Sequence, residues 1–168
     1  MALLPSGGDL GEGWSNRVTS LVDRGTATTD YFDPGVREPS RAAIRSNVPD
    51  RGAFCAVSYF RDGRFVFDAW LRRPASTNSA EAEWHQLRHA PLIPQLSDGK
   101  VAKRSIRQIG DLEAVLYEDG GRTLWLASGG WILNLNLPSK MPMTEVFRIA
   151  EVFARRLGSG PLASARRP

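Results

Sequence analysis

Two histidines, His85 and His89, are the only ones in the chain, and they lie four residues apart with Glu81 four residues before them. On a helix that spacing stacks all three side chains on one face. Such a column could hold a divalent cation if a fourth donor came from elsewhere. The competing reading is a solvated helix face, because the helical spacing of Ala80, Trp84 and Leu87 turns those residues toward a core and leaves the histidines beside it. A second candidate is Asp68, a carboxylate in mid-strand among Val66, Phe67, Ala69 and Trp70. Paired with Glu113 or Asp111, it would have the split pKa values that acid–base hydrolysis of the glycosidase kind needs. An ion pair with one of the many arginines explains it equally well. No Gly-x-Ser-x-Gly elbow is present, and Ser128-Gly129-Gly130 reads as a tight turn. Gly7, Gly8, Gly11 and Gly13 lack the following Lys-Ser/Thr of a phosphate loop. The single cysteine, Cys55, excludes an internal disulfide and a cysteine-based zinc site, and in the run Ala53–Val57 it reads as a buried thiol.

Aromatic residues supply a different chemistry. Tyr59, Trp70, Trp125 and Trp131, with Val66, are the candidate ligand-binding set: they would line a site for an apolar ligand or a protein partner. No catalytic residue, metal or cofactor is assigned beside them.

The elements that must position these residues are mostly hairpins. Asp62-Gly63 between the runs 53–60 and 64–71 marks a two-residue turn. An unbroken ladder from that turn pairs Phe60 with Phe65, Ser58 with Phe67 and Phe54 with Leu71. Phe54, Ala56, Phe60, Phe65, Phe67 and Leu71 are then expected on the core face, and Cys55, Val57, Tyr59, Val66, Asp68 and Trp70 on the other. A helix is predicted over 78–89, with Asn78 and Glu81 as a capping box. Strands follow over 102–108, 112–118, 122–127 and 131–137, separated by Gly110-Asp111, Asp119-Gly120-Gly121 and Gly129-Gly130. In the last of them Leu133, Leu135 and Leu137 alternate with Asn134 and Asn136. A helix over 144–157 buries Val146, Ile149, Ala150, Phe153 and Leu157. Nearer the start, a strand is predicted over 17–22 and a turn or two of helix over 40–45. The glycine-rich opening is read as a loop ending at Trp14.

At 168 residues with 42% hydrophobic and 24% charged residues, the chain reads as one α+β domain over 1–158 with a flexible tail over 159–168. The formal charge is +4. One basic cluster, Lys100, Lys103, Arg104 and Arg107, is read as a solvated face, so no nucleic-acid partner is expected. No stretch approaches the ~20 apolar residues of a membrane span. The start lacks the features of a signal peptide, so the chain is expected to be cytoplasmic, or periplasmic or extracellular if it is the trimmed part of an exported protein.

Residues 109–117, Leu124-Trp125-Leu126, the Gly129-Gly130-Trp131 turn and the helix around Ile149-Ala150-Glu151 form a pattern. It resembles uncharacterised bacterial extracytoplasmic sensor and lipoprotein-type α+β domains, such as those at the C-terminal ends of anti-sigma factors. That resemblance implies a sensor or carrier role and contributes no catalytic motif. The expected fold is α+β, a twisted antiparallel sheet of six to seven strands with two packed helices. The expected function is non-catalytic binding of a hydrophobic small molecule or a protein through an apolar sheet face. The alternatives are a metal-dependent or carboxylate-based hydrolase and a structural homo-oligomer such as a homodimer.

Overall fold

The computed structural model describes residues 3–23, 26–31, 40–42, 53–74, 76–89, 103–118 and 120–158. A short helical turn, α1 (Gly7–Leu10), leads into β1 (Trp14–Asp23), β2 (Thr26–Tyr31) and β3 (Ser40–Ala42). The hairpin β4 (Ala53–Arg61) and β5 (Arg64–Arg73) precedes α2 (Thr77–His89). A meander of β6 (Lys103–Ile109), β7 (Leu112–Glu118), β8 (Arg122–Ser128) and β9 (Trp131–Leu137) ends in α3 (Met143–Gly158). The fold is α+β, as expected. Every strand pairing is antiparallel, in one open sheet of order β3-β2-β1-β4-β5-β9-β8-β7-β6. Seven strands, β1 and β4 to β9, form its body, and β2 and β3 extend it at one edge. The expected tail over 159–168 and Lys100 lie outside the described residues.

Helix α3 lies on one face and builds the main core. Its stripe of Val146, Ile149, Ala150, Val152, Phe153, Ala154 and Leu157 is buried against alternate residues of β4, β5, β9, β8 and β7. Tyr59 and Phe67 stack at 4.7 Å and 9°, and Phe153 meets both rings edge-on. Trp14 packs edge-on to Phe67 at 5.9 Å. Truncating a ring so enclosed costs on the order of 3–5 kcal/mol.

The face assignment of the first hairpin is the main departure from the sequence reading. Phe60 does pair with Phe65, but Tyr59 pairs with Phe67, so Val66 is an extra residue, a β-bulge. Beyond it Ser58 faces Asp68 rather than Phe67, and Phe54 faces Arg72 rather than Leu71. One residue of slip exchanges the two faces of a strand. Cys55, Val57 and Tyr59 therefore join Phe67, Ala69 and Leu71 in the core beneath α3. Phe54, Ala56, Ser58 and Phe60 lie on the opposite face.

Three local corrections follow from capping and pairing. Ser76, not Asn78, caps α2: its Oγ accepts from the Ser79 N–H at 3.1 Å. The earlier residue wins because the Ser76 carbonyl already accepts the first helical bond, from Ala80. Ser40–Ala42, expected as helix, pairs with β2 as a strand. The glycine-rich opening holds the helical turn α1, closed by a capping box between Ser6 and Asp9.

Tyr59 is fully buried, and its hydroxyl donates to the Pro5 carbonyl at 2.7 Å, tying the N-terminal segment to the core. Burial raises the phenol pKa above its ordinary value of 10.0. A buried neutral phenol resists ionisation that the unfolded chain allows. Its contribution to stability is thus complete below pH 10 and lost as pH rises beyond it. Tyr59→Phe should destabilise the protein by about 1–2 kcal/mol at neutral pH, because a buried carbonyl loses its partner. In urea titrations that gap should narrow by about 1 kcal/mol per pH unit above pH 10.

Candidate functional site

The face opposite α3 is built in rows, because cross-strand partners share a side of the sheet. One row crosses seven strands through successive pairs: Arg17, Ser58, Asp68, Asn136, Thr123, Tyr117 and Arg104. All seven are polar or carry a polar tip. Within it the Ser58 hydroxyl donates to Asp68 Oδ1 at 2.6 Å, and the Tyr117 hydroxyl donates to the Leu87 carbonyl of α2. The neighbouring row reads Ala56, Trp70, Asn134, Trp125, Val115 and Ile106. Asn134 thus sits between two tryptophans on the flanking strands. It is only 5% exposed, and its Oδ1 has no hydrogen-bond partner among the described residues.

Helix α2 covers the β9–β8–β7 half of this face. Ala80 is buried, with Trp84 and Leu87 half-buried. Arg72 pairs with Glu83, and Arg88 with Glu113 at 2.8 Å. The Arg72 guanidinium also lies 5.7 Å from the Trp125 ring centre, a cation–π contact. Burial lowers the Arg72 pKa from its usual value, yet guanidinium remains cationic at neutral pH.

The β4–β5 half carries exposed aromatic surface instead. Phe65 is 54% exposed and Trp70 46%. Each has an edge-on neighbour from β4: Phe60 with Phe65 at 6.0 Å, and Phe54 with Trp70 at 6.3 Å.

Of the five residues proposed from sequence for ligand binding, the structure brings Trp70 and Trp125 together, on either side of Asn134. Tyr59 lies in the core on the other face. Val66 occupies the bulge and packs against that core. Trp131 closes the same core at the start of β9, beneath the Arg73 guanidinium at 5.7 Å. Sequence reasoning missed Ser58, Phe65 and Asn134. The alternation of Asn134 with Leu133 and Leu135 was the available signal, but without the register it named no neighbours.

The groups considered for catalysis lie apart. The His85 and His89 rings lie 4.6 Å apart, tilted by 42° to each other, on the exposed side of α2. Among the described residues no group of three His, Cys, Asp or Glu is placed to hold a metal ion. Asp68 and Glu113 are three strands and four residues apart, roughly 20 Å by strand geometry, and Glu113 is engaged by Arg88. An open cleft of about 1070 Å³ lies on the α3 side. Its lining mixes both signs of charge, with Asp9, Asp111, Glu151, Arg155 and Arg156. Arg156 binds Asp9 at 2.6 Å and, with Ser6, holds the Asp9 carboxyl below its ordinary pKa.

No family model, curated protein or solved structure matches this chain.

A buried amide oxygen without a partner costs about 1–3 kcal/mol. Asn134→Leu, which keeps the branching and the number of side-chain heavy atoms, should therefore raise stability by about 1 kcal/mol in urea denaturation. A loss of stability would show that the amide is bonded within the fold.

Proposed function

We propose that the chain is a non-catalytic binding module that meets a protein partner through the aromatic half of the sheet face beside α2. The observation that carries this reading is the exposure of Phe65 and Trp70 on one face, each backed by a second ring. Large aromatic side chains held rigidly at a surface are the usual anchors of protein interfaces. A sheet presents them on a broad surface, whereas small apolar ligands are held in concave sites that enclose most of their area. The polar row beside Trp70 supplies hydrogen-bonding groups that a partner backbone or side chain can meet. A sensor role, which the sequence resemblance implies, would place the sensed partner here.

Trp70→Ala and Phe65→Ala truncate exposed side chains and should leave the far-UV circular dichroism native. Each should weaken the partner by about 30-fold or more if it is an anchor. Native mass spectrometry of the gently purified, untagged protein is the test. The expected result is an added protein mass that Trp70→Ala loses. An added mass of small-molecule size would replace the protein with a hydrophobic ligand, and a concentration-dependent doubling would replace it with a second copy. Retention of the partner by both variants would remove the site from this face.

A further inference from the structure

The far edge of the sheet offers a second and independent surface. β6 is the terminal strand, pairing only with β7 among the described residues. It joins β7 through the two-residue turn Gly110-Asp111, with Ile109 opposite Leu112 and Gly110 at φ 57°. In a two-residue hairpin the residues flanking the turn exchange both backbone hydrogen bonds, and bonded pairs then alternate along the ladder. Residues 103, 105, 107 and 109 therefore bond to β7. The N–H and C=O groups of Arg104, Ile106 and Gln108 point outward, away from the sheet.

The side chains along that edge are of one charge sign. β6 contains Lys103, Arg104 and Arg107 and no acidic residue. Lys103 and Arg107 are exposed, and Ile106 is exposed at 43%. The carboxylates of β7 are engaged elsewhere, Glu118 with Arg122 at 3.2 Å and Glu113 with Arg88. Cations on an edge strand discourage pairing with a second copy of the same edge, because three cations from each copy would enter one ladder. The same charges favour a strand of opposite sign.

We propose that the outer edge of β6 accepts an extended acidic peptide segment of a partner by strand addition. An added antiparallel strand would set acidic residues four apart on one side, opposite Arg107 and Lys103. An apolar residue between them would fall on the other side, opposite Ile106. Main-chain bonds to Ile106 and Gln108 give the attachment, and the two cations select its charge.

The probe is a blocked peptide of sequence Thr-Glu-Val-Thr-Val-Glu-Thr, added at millimolar concentration to the intact protein. Amide exchange of Ile106 and Gln108 should slow at least tenfold, with binding that weakens as salt is raised. The double variant Lys103→Glu, Arg107→Glu should abolish the effect. Ile106→Pro, which removes one outward N–H at an edge position, should do the same. Trp70→Ala should bind the peptide as the unaltered protein does, which separates this edge from the aromatic face. No added protection, equal binding of a peptide with Lys in place of Glu, or protection confined to β4 and β5 would overturn the assignment. So would a dimer that protects the same β6 amides without peptide.

Discussion

Tyr59 and Phe67 stack within 4.7 Å beneath Phe153, and the direction in which those two rings point decides the role of every other strand residue. They can face each other only because Val66 is inserted between Phe65 and Phe67 as a bulge. Were Val66 paired in an unbroken ladder from the Asp62-Gly63 turn instead, Phe67, Ala69 and Leu71 would fall opposite Ser58, Ala56 and Phe54, partners from the other face. The consequence would not stop at the hairpin. β5 pairs with β9 through Ala69 with Leu135 and Leu71 with Leu133, and β9 passes the same parity to Leu124 and Leu126 of β8. One extra residue therefore aligns the leucines of the C-terminal meander with the aromatics of the N-terminal hairpin. The result is a single core under α3.

The two helices are held by different physics. α3 buries seven residues against that core, so its attachment is hydrophobic and insensitive to salt. α2 buries Ala80 and relies on half-buried Trp84 and Leu87, the Tyr117 bond and two partly exposed ion pairs. Ion pairs of that kind contribute about 0–1 kcal/mol each. The face beneath α2 consequently carries mixed chemistry across its middle, with Arg72, Asp68, Glu113, Asn134, Asn136, Trp70 and Trp125, where the middle of the α3 face is apolar. One face of the sheet thus serves stability, and the other carries the mixed chemistry that the proposed binding role would use.

Much of this architecture is legible in the residues. Asp62-Gly63, Gly110-Asp111 and Gly129-Gly130 mark their turns, and the Leu–Asn alternation of β9 shows its two faces. The apolar stripe of α3 is clear from its spacing. What is not legible is parity within β4 and β5. Both strands carry apolar residues on both faces, so pattern alone does not distinguish an even ladder from one with a bulge. That ambiguity inverted the faces of Cys55 to Tyr59 and placed Tyr59 beside Trp70. The start of α2 was blurred for a related reason, since Ser76, Thr77, Asn78 and Ser79 are all residues that favour a cap. Trp70 and Trp125 were found from type alone, whereas Asn134 between them required the sheet order.

The polar row next to Trp70 constrains what can cover this face. Among the described residues Asp68 receives one hydrogen bond, from Ser58, and a carboxylate oxygen can accept more. Covering it with a purely apolar surface would strip its remaining water without replacement, at a cost of several kcal/mol. The burial of Trp70 and Phe65, at about 25 cal/mol per Å², would be offset by that loss. A partner on this half must therefore both bury the rings and present donors to Asp68. A polypeptide does both at once, since its backbone carries a donor and an acceptor at nearly every residue. A hydrocarbon ligand does only the first. The physical argument for a protein at this face thus rests on the carboxylate as much as on the tryptophan.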